Sequence, residues 1–354
     1  MEPILSIRNI SKRFSGNNRF AVKDFSLEVR KGEIVALLGE SGCGKTTILR
    51  IISGFEDIDS GQIILDGVEV AGNNAFIEAE KRGVGIVFQD YALFPNKTVE
   101  QNIAFGLYKL PNQNRIKRVQ DALILCGLEG LEKRYPHQVS GGQKQRVALA
   151  RALAPRPKMI LFDEPFSNID TLMKAQMRTD IGKILRQTET TAIFVTHDTR
   201  DVLSLADNVA VIREGVLQQI GKPSEVYRNP SNSYVARFFG KTNLLKATSV
   251  PGGFQTSLGF LSSDQACEKN NSRVLLSVRP DDFEVCNPNT NNCFMGKVIH
   301  DNYMGNIREL TLEVPNPGGQ QTELLLNVAQ ELKIEGAVCC FRQKSNCDPG
   351  ILEH

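Results

Sequence analysis

Gly39-Glu40-Ser41-Gly42-Cys43-Gly44-Lys45-Thr46 is the stretch that decides the fold of this chain. An apolar run, Ile34–Leu38, precedes it, and a helix-like segment, Thr46–Ile52, follows it, which predicts a strand, a glycine-rich loop and a helix. Because glycine has no Cβ, backbone N–H groups of the loop can converge on phosphate oxygens beside the positive end of the helix dipole. The stretch therefore predicts a site for nucleotide phosphates.

Two side chains of this loop carry the expected chemistry. The Lys45 ammonium would reach the β- and γ-phosphates, and the Thr46 hydroxyl would be a ligand of Mg²⁺. A glycine-rich turn without a ligand is the alternative, which the flanking strand and helix disfavour. The nucleotide-binding residues predicted here are Gly39, Ser41, Gly42, Cys43, Gly44, Lys45, Thr46 and Thr47.

A pair of acids closes a second apolar run. Asp163 and Glu164 follow Met159–Phe162, and acids at the end of a buried strand are costly unless they have a function. We predict that Asp163 holds Mg²⁺, directly or through water, and that Glu164 polarises the attacking water. A strand that ends at solvent with two ordinary acids is the alternative.

Two further polar residues end apolar runs in the same manner. His197 follows Ala192–Thr196, and Gln89 follows Gly85–Phe88. We predict that His197 contacts the γ-phosphate as part of the catalytic set, and that the neutral amide of Gln89 contacts Mg²⁺ or water. Each residue taken alone is more simply structural, and the phosphate loop favours the functional interpretation.

A third motif, Ser140-Gly141-Gly142-Gln143, opens an apolar pattern of helical spacing that continues to Leu153. Its serine hydroxyl, glycine N–H groups and helix dipole suit an anion, although an ordinary N-capped helix explains the same residues. We predict that this motif acts in trans, because the γ-phosphate needs a partner beyond the loop of its own protomer.

The chain divides into two parts of different pattern. Up to about residue 239 strand-like and helix-like segments alternate, which predicts an α/β fold with a mainly parallel core sheet and a small antiparallel sheet near the nucleotide. From 240 to 354 short alternating runs are broken by turn residues, which predicts a small all-β barrel. Strands are predicted at 5–7, 25–29, 34–38, 62–65, 83–88, 159–162, 192–196, 209–213, 274–278, 296–299 and 309–314, and helices at 114–126, 142–153 and 172–187.

Length and charge limit the class of protein. A chain of 354 residues suffices for two domains, and a formal net charge of +2 does not indicate nucleic acid as a partner. No apolar stretch approaches the roughly 20 residues that span a bilayer, and no signal pattern is evident. We expect a cytosolic protein whose membrane partners, if any, are separate subunits.

Together these motifs resemble the ATP-binding cassette (ABC) family over residues 3 to about 238. The matching segments are Gly39–Thr46, Gln89, Val139–Gln143, Ile160–Pro165, Ser167–Asp170 and His197. The resemblance implies an ABC-type P-loop NTPase domain at 1–239, with an antiparallel β subdomain and a helical subdomain at about 90–155. It also implies that Phe14 stacks on adenine, given a short insertion around 15–18, and that Asp170 lies in the D-loop between the two sites. At the two positions before Asp170 this chain has Asn168-Ile169, where the family commonly has Ala-Leu.

The resemblance also implies a head-to-tail homodimer with ATP and Mg²⁺ as cofactors. Each ATP would lie between Lys45 of one subunit and Ser140 of the other, and hydrolysis with Glu164 as base would reopen the closed pair. Two permease subunits would dock near Gln89–Val99, with a periplasmic or lipoprotein solute-binding protein as an indirect partner. The protein would lie peripherally on the cytoplasmic face of the bacterial inner membrane. A soluble ABC ATPase acting on ribosomes or DNA, and a mainly regulatory protein, are the alternatives.

Two segments narrow the subfamily. Phe88–Val99 and Leu276–Asp282 resemble importer ATPases that carry a C-terminal TOBE (OB-like) regulatory barrel, here at 240–354. Cys43 with Thr46-Thr47, and Tyr135–His137, resemble the ferric-ion branch of these importers, which implies import of ferric iron, and polyamine or another small solute is the alternative.

Six of the eight cysteines lie beyond residue 240. Disulfides are rare in the cytosol, so reduced and partly buried thiols are the simpler interpretation. The sharper hypothesis is a redox or iron-responsive regulatory site in the barrel. Cys286/Cys293 and Cys340/Cys347 share one spacing, which matches no zinc motif.

Overall fold

The computed structural model describes residues 2–16, 19–72, 75–167, 171–264, 271–316, 321–332, 337–345 and 347–352. The chain divides into two compact units, Met1–Pro223 and Ser224–His354. The domain boundary near residue 240 stays a prediction. Within the described ranges, no helix is long and apolar enough to cross a membrane.

The first unit begins with antiparallel strands and continues with alternating strands and helices. The strands are β1 (Leu5–Lys12), β2 (Val22–Val29), β3 (Ile34–Leu38), β4 (Ser60–Leu65), β5 (Val68–Gly72), β6 (Ala75–Phe76), β7 (Val84–Val87), β8 (Met159–Asp163), β9 (Thr191–Thr196), β10 (Asn208–Arg213) and β11 (Val216–Gly221). The helices are α1 (Lys45–Ser53), α2 (Ala79–Arg82), α3 (Val99–Ala104), α4 (Asn112–Leu125), α5 (Gly141–Leu153), α6 (Thr171–Gln187) and α7 (Thr199–Leu205), with 3₁₀ turns at Phe105–Leu107 and Pro136–Gln138.

The core sheet of this unit has six strands in the order β11-β10-β3-β9-β8-β7. Neighbouring strands from β10 to β7 are parallel, and β11 pairs antiparallel with β10. The central strands β3 and β9 are buried at every position, as expected for apolar strands covered on both faces. The carboxyl ends of β3, β9, β8 and β7 lie along one edge, where each leads into a segment that carries predicted site residues.

A second, antiparallel sheet of five strands in the order β2-β1-β4-β5-β6 shares a hydrophobic core with the central sheet. Ile7 and Phe25 of this sheet belong to the same buried cluster as Leu37 of β3 and Ile48 of α1. The predicted α/β architecture with a parallel core sheet and an antiparallel subdomain is thereby confirmed.

The remainder of the chain begins with two short helices and continues as strands. The helices are α8 (Pro223–Arg228) and α9 (Ser233–Phe238), with a 3₁₀ turn at Pro280–Asp282. The strands are β12 (Asn243–Val250), β13 (Gly253–Thr256), β14 (Phe260–Ser262), β15 (Arg273–Val278), β16 (Phe283–Val285), β17 (Phe294–Tyr303), β18 (Ile307–Pro315), β19 (Gln321–Ala329), β20 (Val338–Gln343) and β21 (Gly350–Leu352).

These strands form two antiparallel sheets, β14-β13-β12-β15-β21 and β16-β20-β17-β18-β19. Phe254 and Leu276 of one sheet and Phe283 and Phe341 of the other belong to one buried cluster. Two sheets around a common core confirm the predicted all-β character of the C-terminal part.

A buried arginine joins the two short helices to the strands. Arg279, only 4% exposed, donates hydrogen bonds to the carbonyls of Tyr227, Ala236, Gly240 and Lys241 and lies 4.1 Å from the Tyr227 ring centroid. One side chain thus holds α8, α9 and the segment after α9 against the end of β15. This explains why the second unit begins before residue 240.

We expect Arg279→Met to destabilise the second unit strongly. Each carbonyl left without a donor in a dry site costs about 1–3 kcal/mol, so a loss of at least ~3 kcal/mol of unfolding free energy is expected in urea titrations. Arg342→Met is the control, because Arg342 makes a surface ion pair with Glu284 at 2.8 Å, and such pairs contribute less than about 1 kcal/mol. Equal losses in both variants would contradict the role of Arg279.

Candidate functional site

The loop between β3 and α1 closes around the ammonium group of Lys45. Lys45 Nζ donates to Gly39 O at 2.8 Å and to Glu40 O at 2.7 Å, and the side chain is buried. Gly44 has φ 105°, and a Cβ there would lie 2.2 Å from Ala21 O, so the position accepts only glycine. The loop leads directly into α1, whose first residue is Lys45.

The other residues of the loop divide by exposure. Cys43 is buried, and burial raises the pKa of its thiol, while the nearby Lys45 opposes that rise. A Cβ on Gly39 would lie 2.6 Å from Cys43 Sγ, so the thiol packs under the loop. Ser41, Gly42 and Thr46 are exposed, and Thr47 is half-buried. The exposed residues can contact a phosphate, whereas the buried Cys43 side chain packs against the inner side of the loop.

The last residue of β8 meets the first turn of α1. Thr46 Oγ1 donates to Asp163 Oδ1 at 3.2 Å, which brings two predicted Mg²⁺ ligands together. Burial raises the pKa of Asp163, and the hydrogen bond from Thr46 acts in the opposite direction. A half-buried carboxylate beside a hydroxyl is a hard oxygen donor set that fits Mg²⁺. The third predicted ligand, Gln89, follows β7, the strand that pairs with β8.

Glu164 and His197 face each other from neighbouring strands. His197 Nδ1 lies 3.6 Å from Glu164 Oε1, and both residues line a small cavity of about 10 Å³, roughly the room that one water needs. Glu164 has φ 45°, an uncommon value for glutamate, and its carbonyl accepts hydrogen bonds from Ser167 N and Ser167 Oγ at 3.2 and 3.0 Å. The turn therefore directs this carboxylate away from the ordinary path of a strand.

A buried polar network, which the sequence did not reveal, supports the turn that carries His197. Thr196 Oγ1 donates to Asp201 Oδ2 at 2.6 Å and accepts from Asp198 N at 3.0 Å. Arg178 of α6 donates through Nε to Asp201 Oδ1 at 2.6 Å. The start of α7 is thus tied to β9 and α6, which fixes the position of His197.

The third motif of the sequence, Ser140–Gln143, lies at the exposed N-terminus of α5. Ser140 Oγ accepts from Gln143 N at 3.3 Å, and Gln143 Oε1 accepts from Ser140 N at 2.9 Å, a complete capping box. Ser140 and Gly141 are exposed, Gly142 is half-buried, and a Cβ on Gly141 would meet open space. The motif is therefore an ordinary cap in one chain and also an open surface that a second molecule can reach.

Of the two remaining predicted residues, Phe14 is described and Asp170 is not. Phe14 follows β1 with its ring 40% exposed and Lys12 Nζ 5.6 Å from the ring centroid. Part of the insertion expected around 15–18, namely Asn17 and Asn18, lies outside the described residues, as does Asp170 of the predicted D-loop.

An arginine of α5 holds the segment that follows Gln89. Tyr91 and Ala92 both have positive φ, 65° and 43°, and their carbonyls accept hydrogen bonds from the Arg151 guanidinium at 2.8 and 2.6 Å. The same guanidinium lies 5.7 Å from the centroid of the Phe94 ring. Arg151 thus connects α5 to the segment after Gln89. The bonded residues are about sixty positions apart, so no local sequence pattern predicts this contact.

We expect Arg151→Met to loosen this segment without affecting nucleotide binding to the phosphate loop. Two left-handed residues lose the donor that offsets their strain, so amide exchange at residues 90–94 should accelerate by roughly tenfold or more. Arg115→Met is the control, because the half-buried Arg115 side chain donates to Asn112 of its own helix and not to the segment after Gln89. Unchanged exchange in the Arg151 variant would contradict this role.

The sequence of this chain matches a protein-family model and is similar to two transport proteins. Residues 22–167 match the family model described as ABC transporter. The chain is 41% identical over 320 residues to the putrescine transport ATP-binding protein PotG of Escherichia coli (strain K12), covering 87% of this chain and 83% of that protein. It is 38% identical over 330 residues to the spermidine/putrescine import ATP-binding protein PotA of Haemophilus influenzae (strain ATCC 51907 / DSM 11121 / KW20 / Rd), covering 90% and 87%.

Two solved structures are also similar. One is cbiO1 from Clostridium perfringens, part of the ABC transporter complex cbiONQ, with a TM-score of 0.58, 32% identity, and coverage of 64% of this chain and 91% of that chain. The other is an ATP-binding cassette solved as a dimer in a post-hydrolysis state with ADP and Pi bound, with a TM-score of 0.54, 28% identity, and coverage of 62% and 98%.

Proposed function

Because this chain belongs to the ABC transporter family of ATP-binding proteins, whose ATP hydrolysis is coupled to transport, we propose that it energises the import of polyamines. The observation that carries this substrate class is the 41% and 38% identity, over most of both chains, to proteins named for putrescine and for spermidine/putrescine. As an enzyme, the chain is an ATPase.

The preference for ferric iron is not supported, and the polyamine alternative fits the relatives better. The residues that suggested iron carry no information on the transported solute. Cys43 and Thr46-Thr47 belong to the phosphate loop, which is proposed here to bind the nucleotide, and Tyr135 and His137 stack on each other at a centroid distance of 5.8 Å.

The chemistry proposed for the site follows from the edge of the core sheet. Lys45 would release the carbonyls of Gly39 and Glu40 and bind the β- and γ-phosphates. Thr46 and Asp163, with Gln89 as a further contact, would hold Mg²⁺, which neutralises charge on the phosphates when bound. Glu164 would accept a proton from the attacking water, and His197, 3.6 Å away, would contact the γ-phosphate.

We propose that two copies of this chain complete each site. The exposed Ser140 and Gly141 present a hydroxyl, backbone N–H groups and the N-terminus of a 13-residue helix to an external anion. The similar cassette with ADP and Pi was solved as a dimer, which supports the same assembly here.

The proposed permease-docking surface is a groove on the helical part of the first unit. The groove, about 860 Å³ in volume, is lined by Lys97, Phe105, Tyr108 and Ile116 among others. Phe105, Tyr108 and Ile116 are 52%, 71% and 47% exposed, and exposed apolar clusters of this kind mark interaction sites. We propose that a short amphipathic helix of each permease subunit binds here, next to Gln89–Val99, and holds the chain at the cytoplasmic face of the inner membrane.

We expect Ile116→Asp to weaken permease binding while the basal ATPase rate of the isolated chain is unchanged. A charge in the apolar groove should reduce co-purification with the permease by roughly tenfold or more. Ile124→Asp is the matched control, because Ile124 is 61% exposed on the same helix and does not line the groove. Normal co-purification of the Ile116 variant would contradict the docking surface.

Solute uptake tests the proposed substrate class. In a strain of the source bacterium that lacks this chain, uptake of labelled spermidine or putrescine is expected to fall and to return with the wild-type chain, but not with Glu164→Gln. Ferric-iron uptake is expected to stay unchanged. Normal polyamine uptake in the deletion strain, with loss of another solute, would overturn the substrate class and leave the ATPase assignment intact.

A further inference from the structure

Three cysteines of the second unit lie in or beside neighbouring strands, and two of their thiols are in contact. Cys286 follows β16, Cys293 precedes β17, and Cys340 lies in β20, which pairs with both strands. Cys286 N donates to Cys340 O at 2.9 Å, so these two residues lie side by side across the strands. The Cys286 thiol donates to Cys293 Sγ at 3.2 Å, and the Cys293 thiol donates to Phe294 O at 3.5 Å. The sulfur atoms of Cys286 and Cys293 are therefore in contact, and Cys340 is the cysteine beside Cys286 on the neighbouring strand.

The thiols are accessible enough to react. Cys286, Cys293 and Cys340 are each half-buried, whereas Cys43, Cys126 and Cys339 are buried. A disulfide has an S–S distance of about 2.0 Å, so bond formation between Cys286 and Cys293 requires an approach of only ~1 Å. The segment between them belongs to a turn at the edge of the sheet, where such an approach disturbs few contacts.

We propose that Cys286 and Cys293 form a reversible disulfide when the low-molecular-weight thiol pool is oxidised, with Cys340 as a third thiol that can exchange with it. This proposal is independent of the transported solute. It replaces the iron-responsive hypothesis, because no group of three or more Cys, His, Asp or Glu in the described ranges could hold a metal ion. Cys267 lies outside those ranges.

The reaction with oxidised glutathione balances as a thiol–disulfide exchange. One thiol of the pair loses its proton and attacks a glutathione sulfur, which breaks that disulfide and releases one reduced glutathione. The second thiolate then attacks the mixed disulfide at the protein sulfur and releases the other reduced glutathione. Two protein thiols thus lose two protons and two electrons, and oxidised glutathione takes up both.

The buried thiols elsewhere in the chain are less reactive, which favours oxidation at Cys286 and Cys293. Burial raises the pKa of Cys126 to about 12 and that of Cys339 to about 11, so these thiols hold almost no thiolate near neutral pH. Burial also raises the pKa of Cys293 and of Cys340, so oxidation should accelerate as the pH rises above neutral. After the first exchange, the neighbouring thiol at 3.2 Å makes the second step intramolecular and fast.

Mass spectrometry of the full-length protein tests the proposal. The chain is equilibrated with mixtures of oxidised and reduced glutathione, its free thiols are alkylated, and it is digested with trypsin without reduction. Cys286 and Cys293 fall in one tryptic peptide, Val274–Lys297, because the Arg279–Pro280 bond resists trypsin. We expect this peptide to escape alkylation and to lose the mass of two hydrogens, roughly tenfold faster than Cys347 gains a glutathione adduct. Excess reduced glutathione should reverse the change.

Two variants separate this disulfide from other outcomes. Cys293→Ser should abolish the lighter peptide, whereas Cys347→Ser should leave it unchanged. A Cys293–Cys340 bond formed by exchange would appear as a link between two different peptides, would disappear with the same Cys293 variant, and would support the proposed exchange. Full alkylation of Val274–Lys297 in oxidised wild-type protein, or glutathione adducts on both cysteines without a link, would overturn the proposal.

Discussion

Replacement of Glu164 by glutamine is expected to lower the steady-state rate of ATP hydrolysis by about 10²–10⁴-fold, while ATP-bound dimers accumulate. The amide of glutamine has nearly the size of the carboxylate, so the turn at φ 45° and the bonds from Ser167 should persist. An amide cannot accept a proton from the attacking water. Phosphate release over many turnovers measures the first effect, and light scattering with ATP measures the second.

The control for this variant is Glu189→Gln. Glu189 has φ 49° and is exposed after α6, so it tests the same substitution in a similar backbone conformation far from the phosphate loop in sequence. We expect the control to hydrolyse ATP at the wild-type rate. Rapid hydrolysis by Glu164→Gln would refute the assignment of the base and would direct attention to His197.

Ser140→Arg is expected to abolish ATP-driven dimerisation and to lower hydrolysis by roughly 10²-fold or more, while each chain still binds ATP. The new side chain would fill the open surface beside Gly141, where a second chain would present its γ-phosphate. Loss of the cap costs only about 1 kcal/mol, so α5 should remain folded. Equilibrium binding of fluorescent ATP separates nucleotide affinity from dimerisation.

Thr98→Arg is the matched control for Ser140→Arg. Thr98 caps α3 in the same way, with Gln101 completing the capping box, so it shares the structural cost but not the proposed role. We expect the isolated Thr98 variant to dimerise with ATP as the wild type does. A comparable loss of dimerisation in both variants would show that helix capping alone explains the effect.

The parts of the fold that were predicted are those with a strong local pattern. Strand β3 has the predicted bounds, Ile34–Leu38, because a continuous apolar run lies between charged and glycine-rich neighbours. The edge strands β11 and β14 were missed, because they are partly exposed and so carry little apolar pattern, and β13 was missed because it has only four residues.

The candidate site was predictable where residues follow strands directly. Asp163, Glu164 and His197 meet because β8 and β9 are parallel neighbours, with Asp163 opposite Val195. Arg151 was missed, because its partners Tyr91 and Ala92 are brought to α5 only by the tertiary fold.

The cysteine pattern was interpreted only in part. The shared spacing suggested the pairs Cys286/Cys293 and Cys340/Cys347, yet Cys340 lies beside Cys286, whose N–H donates to the Cys340 carbonyl at 2.9 Å. This arrangement results from the pairing of β20 with both β16 and β17. The pairing of these strands cannot be predicted from the spacing of the cysteines in the sequence.

A mixing experiment tests most directly the central claim that each ATP site is shared between two copies of this chain. Lys45→Ala and Ser140→Arg are placed in separate chains, both with Glu164→Gln to prevent turnover. In a head-to-tail dimer of the two variants, one site keeps both its lysine and its serine. We predict that neither chain dimerises alone with ATP, and that the mixture forms heterodimers with one tightly held ATP. ATP-driven dimers of the Ser140→Arg chain alone, or none in the mixture, would contradict the account.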